Sequence, residues 1–358
     1  MWGAPFPAAP VAAEEREYPT IVALGVIQPL ESEEGLSTPL IVLNHESDGY
    51  FAGGAFTIQL LTTVLTVGMT HPVVEALDIA YRLRAQVITE GSGSDLYRNG
   101  RRLKELTFSG NSAALVLAAN LFPEGSWRAA LEVESLITRF GESEDTRSDY
   151  LLPGNFRQRE LRAILTRQGL LGTDESRGIL TLAAGTRQDA RAWQLDPAGI
   201  GTTDYRKAEL RWEQPYRWSE ANRGDFTLVG MKTTKADLFN SYKIGGIGGQ
   251  FPVGGYFRNE FRAREAWVAN LTHEFFFAED RRLSIHGDAA HFRELELPFL
   301  AGAPPSRTIA SFGVGFRYGI RTLRGLPVIV RYAEGVRVPA DSAEGRRREL
   351  MLVIALGF

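Results

Sequence analysis

The sequence predicts an all-β protein, a transmembrane antiparallel β-barrel of about sixteen strands. Three observations point there. Apolar and polar residues alternate with period two from residue 18 to the end, which is the spacing of a strand with two different faces. The connections alternate between short and long, as they do when all the long loops leave one end of a barrel. Finally, the 358 residues include 37 glycines and no cysteine, a usage that suits a large β protein exported through an oxidising compartment.

The elements follow in order. Residues 1–17, MWGAPFPAAPVAAEERE, are rich in Pro, Ala and Glu without periodicity and read as a flexible lead-in; the barrel is assigned to 18–358. The stretch Tyr18–Gly54 holds one or two strands. Leu77–Val87 puts Leu77, Ile79, Tyr81, Leu83, Ala85 and Val87 on one face, against Asp78, Arg82, Arg84 and Gln86. Trp127–Ile137 sets Leu131, Val133 and Ile137 against Arg128, Glu132 and Glu134. Arg157–Gln168 has local helical character but stands alone among strands and is read as one. Tyr205–Glu213 sets Ala208, Leu210 and Trp212 against Lys207, Glu209, Arg211 and Glu213, a lumenal ladder of mixed sign. Phe312, Val314, Phe316, Tyr318 and Ile320 share a face, as do Leu350, Leu352, Ile354, Leu356 and Phe358. Short turns fall at Pro123–Ser126, Ala278–Arg282 and Arg321–Gly325; long loops fall at Glu142–Pro153, Trp193–Thr202, Asn240–Arg264 and Leu295–Arg307. A soluble sandwich is the competing architecture, but its strands average five or six residues. Here they run to about ten or more, the length that crosses a bilayer. The apolar faces are then expected to meet lipid and the polar faces the lumen. Trp127, Tyr205, Trp212, Phe277 and Phe358 are expected in interfacial girdles.

Composition removes several function classes. With 44% hydrophobic and 10% aromatic residues, the chain can bury a core and is not disordered. The absence of cysteine excludes disulfide scaffolds, thiolate zinc sites and cysteine nucleophiles. A net charge of −3 gives no broad basic face for nucleic acid. The five histidines, His45, His71, His273, His286 and His291, are not spaced as a metal site, and no HExxH occurs. No GxSxG is present, and GGIGG at Gly245–Gly249 lacks the Lys-Ser/Thr of a phosphate loop. Catalytic, cofactor and metal residues are therefore expected to be none. No targeting segment is visible in the first residues; a cytosolic chain or a mature exported one would look like this, and with the barrel pattern a mature outer-membrane protein is expected.

Two regions carry a family resemblance. The Gly-rich run Tyr242–Phe277 contains Val253, Gly254, Gly255 and Tyr256, and five strands follow it to Phe358. This resembles the BamA superfamily, the bacterial surface-antigen barrels, in which a Val/Leu-Arg-Gly-Tyr/Phe motif lies on the sixth extracellular loop and folds back into the lumen. Thr38–Phe56 also resembles the start of that family's barrel. The resemblance implies that the motif's second residue pairs with an Asp-x-Gly strand inside the barrel. Here the family's Arg is replaced by Gly254, and the Asp-x-Gly becomes Asp288 with Ala290. Arg258 is the nearest loop cation to pair with Asp288, and Tyr256 is expected to be buried against the wall. The resemblance further implies insertion or passage of a protein or lipid client through a seam between the first and last strands. Contacts with the bilayer and lipopolysaccharide follow, and so does handling by the outer-membrane assembly machinery through Leu356 and Phe358. Too few residues precede the first strand to form a POTRA domain, so a POTRA-less member is expected. Two other functions remain open at this point: a passive pore, and an anchoring barrel that docks a partner by its loops. A seam with few hydrogen bonds would favour the client reading, and a firm seam around an open lumen would favour the pore.

Overall fold

The structure is a computed structural model, and it describes residues 20–30, 38–51, 54–61, 64–74, 79–88, 96–98, 101–121, 125–170, 175–190, 201–295, 306–320, 326–337 and 347–357. The lead-in 1–17 and Phe358 lie outside the described residues.

Sixteen strands close into one antiparallel barrel. In chain order these are β1 (Thr20–Pro29), β2 (Thr38–Phe51), β3 (Gly54–Leu61), β4 (Val64–Val74) and β5 (Ile79–Ile88). A small hairpin, β6 (Tyr97–Arg98) with β7 (Arg101–Arg102), then stands apart from the wall. The wall resumes with β8 (Ser109–Leu121), β9 (Trp127–Gly141), β10 (Phe156–Gln168), β11 (Arg177–Ala190), β12 (Gly201–Ser219) and β13 (Asn222–Thr233). The short β14 (Tyr242–Ile244) belongs to the long loop and pairs with the start of the next strand. The last five wall strands are β15 (Phe261–Ala278), β16 (Arg281–Glu294), β17 (Arg307–Ile320), β18 (Leu326–Arg337) and β19 (Arg348–Gly357). The region Tyr18–Gly54 thus supplies two strands, and Arg157–Gln168 is strand, held between β9 and β11 over its whole length.

The period-two pattern exists because the two faces meet different media. Leu131, Val133, Leu161, Leu182, Leu210, Phe312, Val314, Phe316, Leu352 and Ile354 are all exposed on the outer wall. Their alternates Glu132, Glu134, Gln158, Glu160, Arg162, Ser311 and Val353 are buried inside. An apolar outer belt around a polar, filled interior requires hydrocarbon outside. Closure also leaves no unpaired edge, which lipid would penalise. Trp127 and Phe277 are exposed, as a girdle requires. Tyr205 is a correction: it is 2% exposed and lies inside the barrel. Its alternation phase is that of Lys207, and its ring covers Gly185, where a Cβ would come within 2.3 Å of it. There it donates to Glu160 at 2.5 Å. An aromatic at a segment's end is thus placed by its parity rather than by its type.

The barrel closes between β1 and β19 without a gap in register, from Ile21 opposite Gly357 to Pro29 opposite Glu349. The Leu30 amide extends the pairing to the Arg348 carbonyl at 3.0 Å. This seam is longer than the β18–β19 ladder next to it, which runs only from Val328 to Glu334. The ladders across the barrel are longer still; β15–β16 runs from Ala263 to Ala278.

Candidate functional site

The segment between β13 and β15 turns inward and fills the lumen. Its local fold follows from its glycines. The Gly245 and Gly246 amides donate to the Phe251 and Val253 carbonyls at 3.1 and 2.9 Å, and the Asn259 amide returns to Gly245 at 3.0 Å. Gly246 has φ +71°, and a Cβ there would stand 2.6 Å from the Arg258 backbone. Only glycine fits so tight a fold at that φ. Around it Ile244, Phe251, Val253, Tyr256, Phe261, Val268, Phe292 and Ile309 form a buried cluster. Burial of each large side chain contributes roughly 1.5–3 kcal/mol, which works against the entropic cost of ordering the loop.

The tip grips the wall through the motif positions. Val253 is fully buried. The Gly254 amide donates to Asp288 Oδ2 at 3.1 Å, and a Cβ at 254 would lie 2.6 Å from the Ala333 Cβ. Gly255 has φ +76° and presses on the β18 backbone, 2.3 Å from the Gly335 nitrogen to a would-be Cβ. The Tyr256 hydroxyl donates to the Ala310 carbonyl at 3.1 Å and to the Arg337 carbonyl. Its ring sits edge-on to Phe261. Burial pushes its phenol above the ordinary range, so the group stays a donor.

Asp288 lies on β16 opposite this tip, and its two oxygens are shared. Oδ1 accepts from Asn270 at 2.8 Å, and the same amide group donates to the Pro252 carbonyl. Oδ2 accepts from Gly254 and from Ser311 at 3.1 Å. The cation beside it is Arg331 of β18, at 3.6 Å. The expectation is Arg258 or a neighbouring arginine; the pair given by the geometry is with Arg331 on the wall. The loop's nearby ion pair is instead Glu260 with Arg347, and Arg347 also lies over the Phe257 ring.

A second carboxylate was not legible in the sequence. Glu349, near the start of β19, is 2% exposed. It accepts from the Ile247 amide at 2.8 Å and the Gly255 amide at 3.3 Å. Ile247 in turn packs on Ile27 of β1 and Ala333 of β18. The loop therefore touches both strands of the seam. The only signal for this was the polar phase of Glu349 in an apolar strand.

The opposite wall carries a packed ion-pair group. Arg162 lies 2.9 Å from Glu134 and 3.3 Å from Glu132, and it also pairs with Glu160. Lys207 approaches Glu160 at 4.0 Å, and Arg211 meets Glu213 at 3.6 Å. Mixed signs at this spacing largely neutralise one another and argue against a strongly selective ion filter. Above the lumen, Leu96, Leu106, Phe108, Tyr150 and Leu238 form a buried cluster from three loops, and Tyr97 stacks on Phe257 at 4.9 Å. The long-loop end is thus roofed onto the inward loop. Among the described residues no cluster of metal ligands occurs. Leu356 pairs with Val22 across the seam.

The fold is shared with solved barrels. Of those compared, CdiB from Escherichia coli aligns with TM-score 0.62 at 12% identity over 95% of this chain and 63% of its own. BamA from Haemophilus ducreyi lacking POTRA domains 1–3 aligns with TM-score 0.59 at 11% identity, over 95% and 70%. CdiB from Acinetobacter baumannii gives 0.58 at 11% identity, over 94% and 60%. The fold is that of a transmembrane β-barrel, shared with these bacterial barrels. The chain spans about 60–70% of the length of these three proteins, and at such identity the likeness is one of fold. No sequence family and no curated protein matches the chain.

Proposed function

We propose that the chain is a BamA-superfamily barrel that inserts or passes a protein or lipid client by opening between β1 and β19, with the inward loop as the brace that sets when it opens. The observation that carries this reading is Glu349. One carboxylate on the last strand holds two amides of the loop, and Ile247 beside it rests on the first strand. Movement of the loop tip is thereby coupled to both sides of the seam. The seam is continuously paired and is not the sparsely bonded one expected for this reading, so opening has to be driven by a client or by displacement of the loop. A passive pore is less well supported, because the lumen is filled by the loop cluster and roofed. In this reading Leu356 and Phe358 carry the C-terminal signal that the assembly machinery recognises.

The test is a seam lock. Ala23 and Ala355 are register partners in a chain free of cysteine. The pair Ala23→Cys with Ala355→Cys is placed in liposomes, and the folding rate of an added unfolded eight-stranded outer-membrane barrel is measured. Acceleration over empty liposomes that is lost on oxidation and returns on reduction supports the reading. Equal rates with and without the folded, reduced barrel overturn it.

A further inference from the structure

The outer wall at the long-loop end carries a basic depression that the lumenal site does not use. Val133, Leu161, Ala184 and Arg206 are successive register partners across β9, β10, β11 and β12. The next row, one step nearer the long-loop end, pairs Arg159 with Thr186 and Thr186 with Asp204. Ala184 and Thr186 are small and stand between long neighbours. The wall therefore dips between Arg159 and Arg206, and Lys235 closes the rim, leaving an open cavity of about 740 Å³. Arg159, Arg206 and Lys235 are exposed, and no side-chain ion pair holds them among the described residues; of the two acids that line the cavity, Asp204 is exposed at the rim, whereas Glu160 is buried and paired with Arg162 on the lumenal side. Directly below lie Leu161, Leu182 and Leu210, each about half exposed on the lipid belt.

This arrangement is built for an amphiphile. Three cations and one acid leave a net positive rim, and long basic side chains at a membrane boundary hold their heads in the polar layer while their stems lie on apolar surface. Phosphate groups at that level would meet two guanidiniums, whose planar donors suit phosphate oxygens. Acyl chains on the same molecule would lie over Leu161 and Leu182. We infer that Arg159, Arg206 and Lys235 bind a phosphorylated, multiply acylated glycolipid of the outer leaflet, with its phosphate in the dip at Ala184. The site rests on the membrane placement of the barrel and not on opening of the seam.

The test uses the full chain purified in detergent and native mass spectrometry with diphosphorylated lipid A as the probe. The expected result is one lipid A retained per barrel, and retention about 10- to 30-fold weaker in the variant Arg159→Gln/Arg206→Gln, since each basic residue near the surface is worth a severalfold change in affinity. Lys235→Gln, a change in a loop, should weaken retention by itself. Arg128→Gln, at the other end of β9, should not. Heat-modifiable migration on gels reports that each variant is folded. Dephosphorylated lipid A retained equally would show adhesion to the apolar belt alone and overturn the inference. Displacement of lipid A by millimolar inorganic phosphate would show a plain anion site and overturn it also. Undiminished retention in folded Lys235→Gln and in the folded double variant would place lipid A elsewhere.

Discussion

At the scale of single residues, the motif positions are decided by how closely the loop approaches the wall. Gly254 stands where the resemblance implies an arginine, and the space there is taken by Ala333. Restoring the family's residue should therefore fail. In Gly254→Arg the side chain has to displace β18 before it can reach Asp288, and Gly255→Ala adds a Cβ at a φ of +76° against the same strand. Both variants are expected to release the loop from the lumen while the barrel stays intact. Limited proteolysis of folded protein should then cut between residues 245 and 260, where the parent chain resists. Tyr256→Phe removes only a hydroxyl whose acceptors are the Ala310 and Arg337 carbonyls. It should cost about 0.5–1.5 kcal/mol in urea unfolding, without exposing the loop.

At the scale of elements, β19 shows how the two faces differ. Leu352 and Ile354 are about 40% exposed on the outer side, and Val353 and Ala355 are buried inside. Leu352→Arg or Ile354→Arg should destabilise the barrel by roughly 2–4 kcal/mol near the bilayer middle, read from reversible denaturant unfolding in lipid vesicles. The lumenal face is usually the tolerant one, but here Val353 packs against Ala23 and Ala355. A Cβ on Gly25 would already meet the Leu352 carbonyl at 2.3 Å. Gly25→Val should therefore loosen the seam itself, seen as faster amide exchange confined to β1 and β19.

At the scale of the whole molecule, the inward loop and the cluster roofed onto it occupy part of the lumen. Deleting residues 245–258 removes the tip that occupies the lumen. Planar-bilayer recordings are expected to show small or absent conductance for the intact chain and large, stable steps for the deletion. Both forms should keep heat-modifiable migration and strong β circular dichroism. Large stable steps from the intact chain would mean that the loop does not seal the lumen.

The sequence by itself determined the wall. A strand between lipid and lumen must alternate at every step, so the phases of β9, β12, β17 and β19 are written in Leu131 and Glu132, Leu210 and Arg211, Phe312 and Ser311, and Leu352 and Val353. The five strands after the loop were likewise legible, since each is bounded by turn residues. What lies inside was decided only by tertiary structure. Arg331 is the cation at Asp288, Glu349 receives the loop's amides, and Glu160 is the acceptor of the Tyr205 hydroxyl. These contacts join residues far apart in the chain, and no local period records them. Closure of the wall brings β16, β18 and β19 around one loop, and the choice among several lumenal arginines follows from which of them the barrel's curvature places within reach.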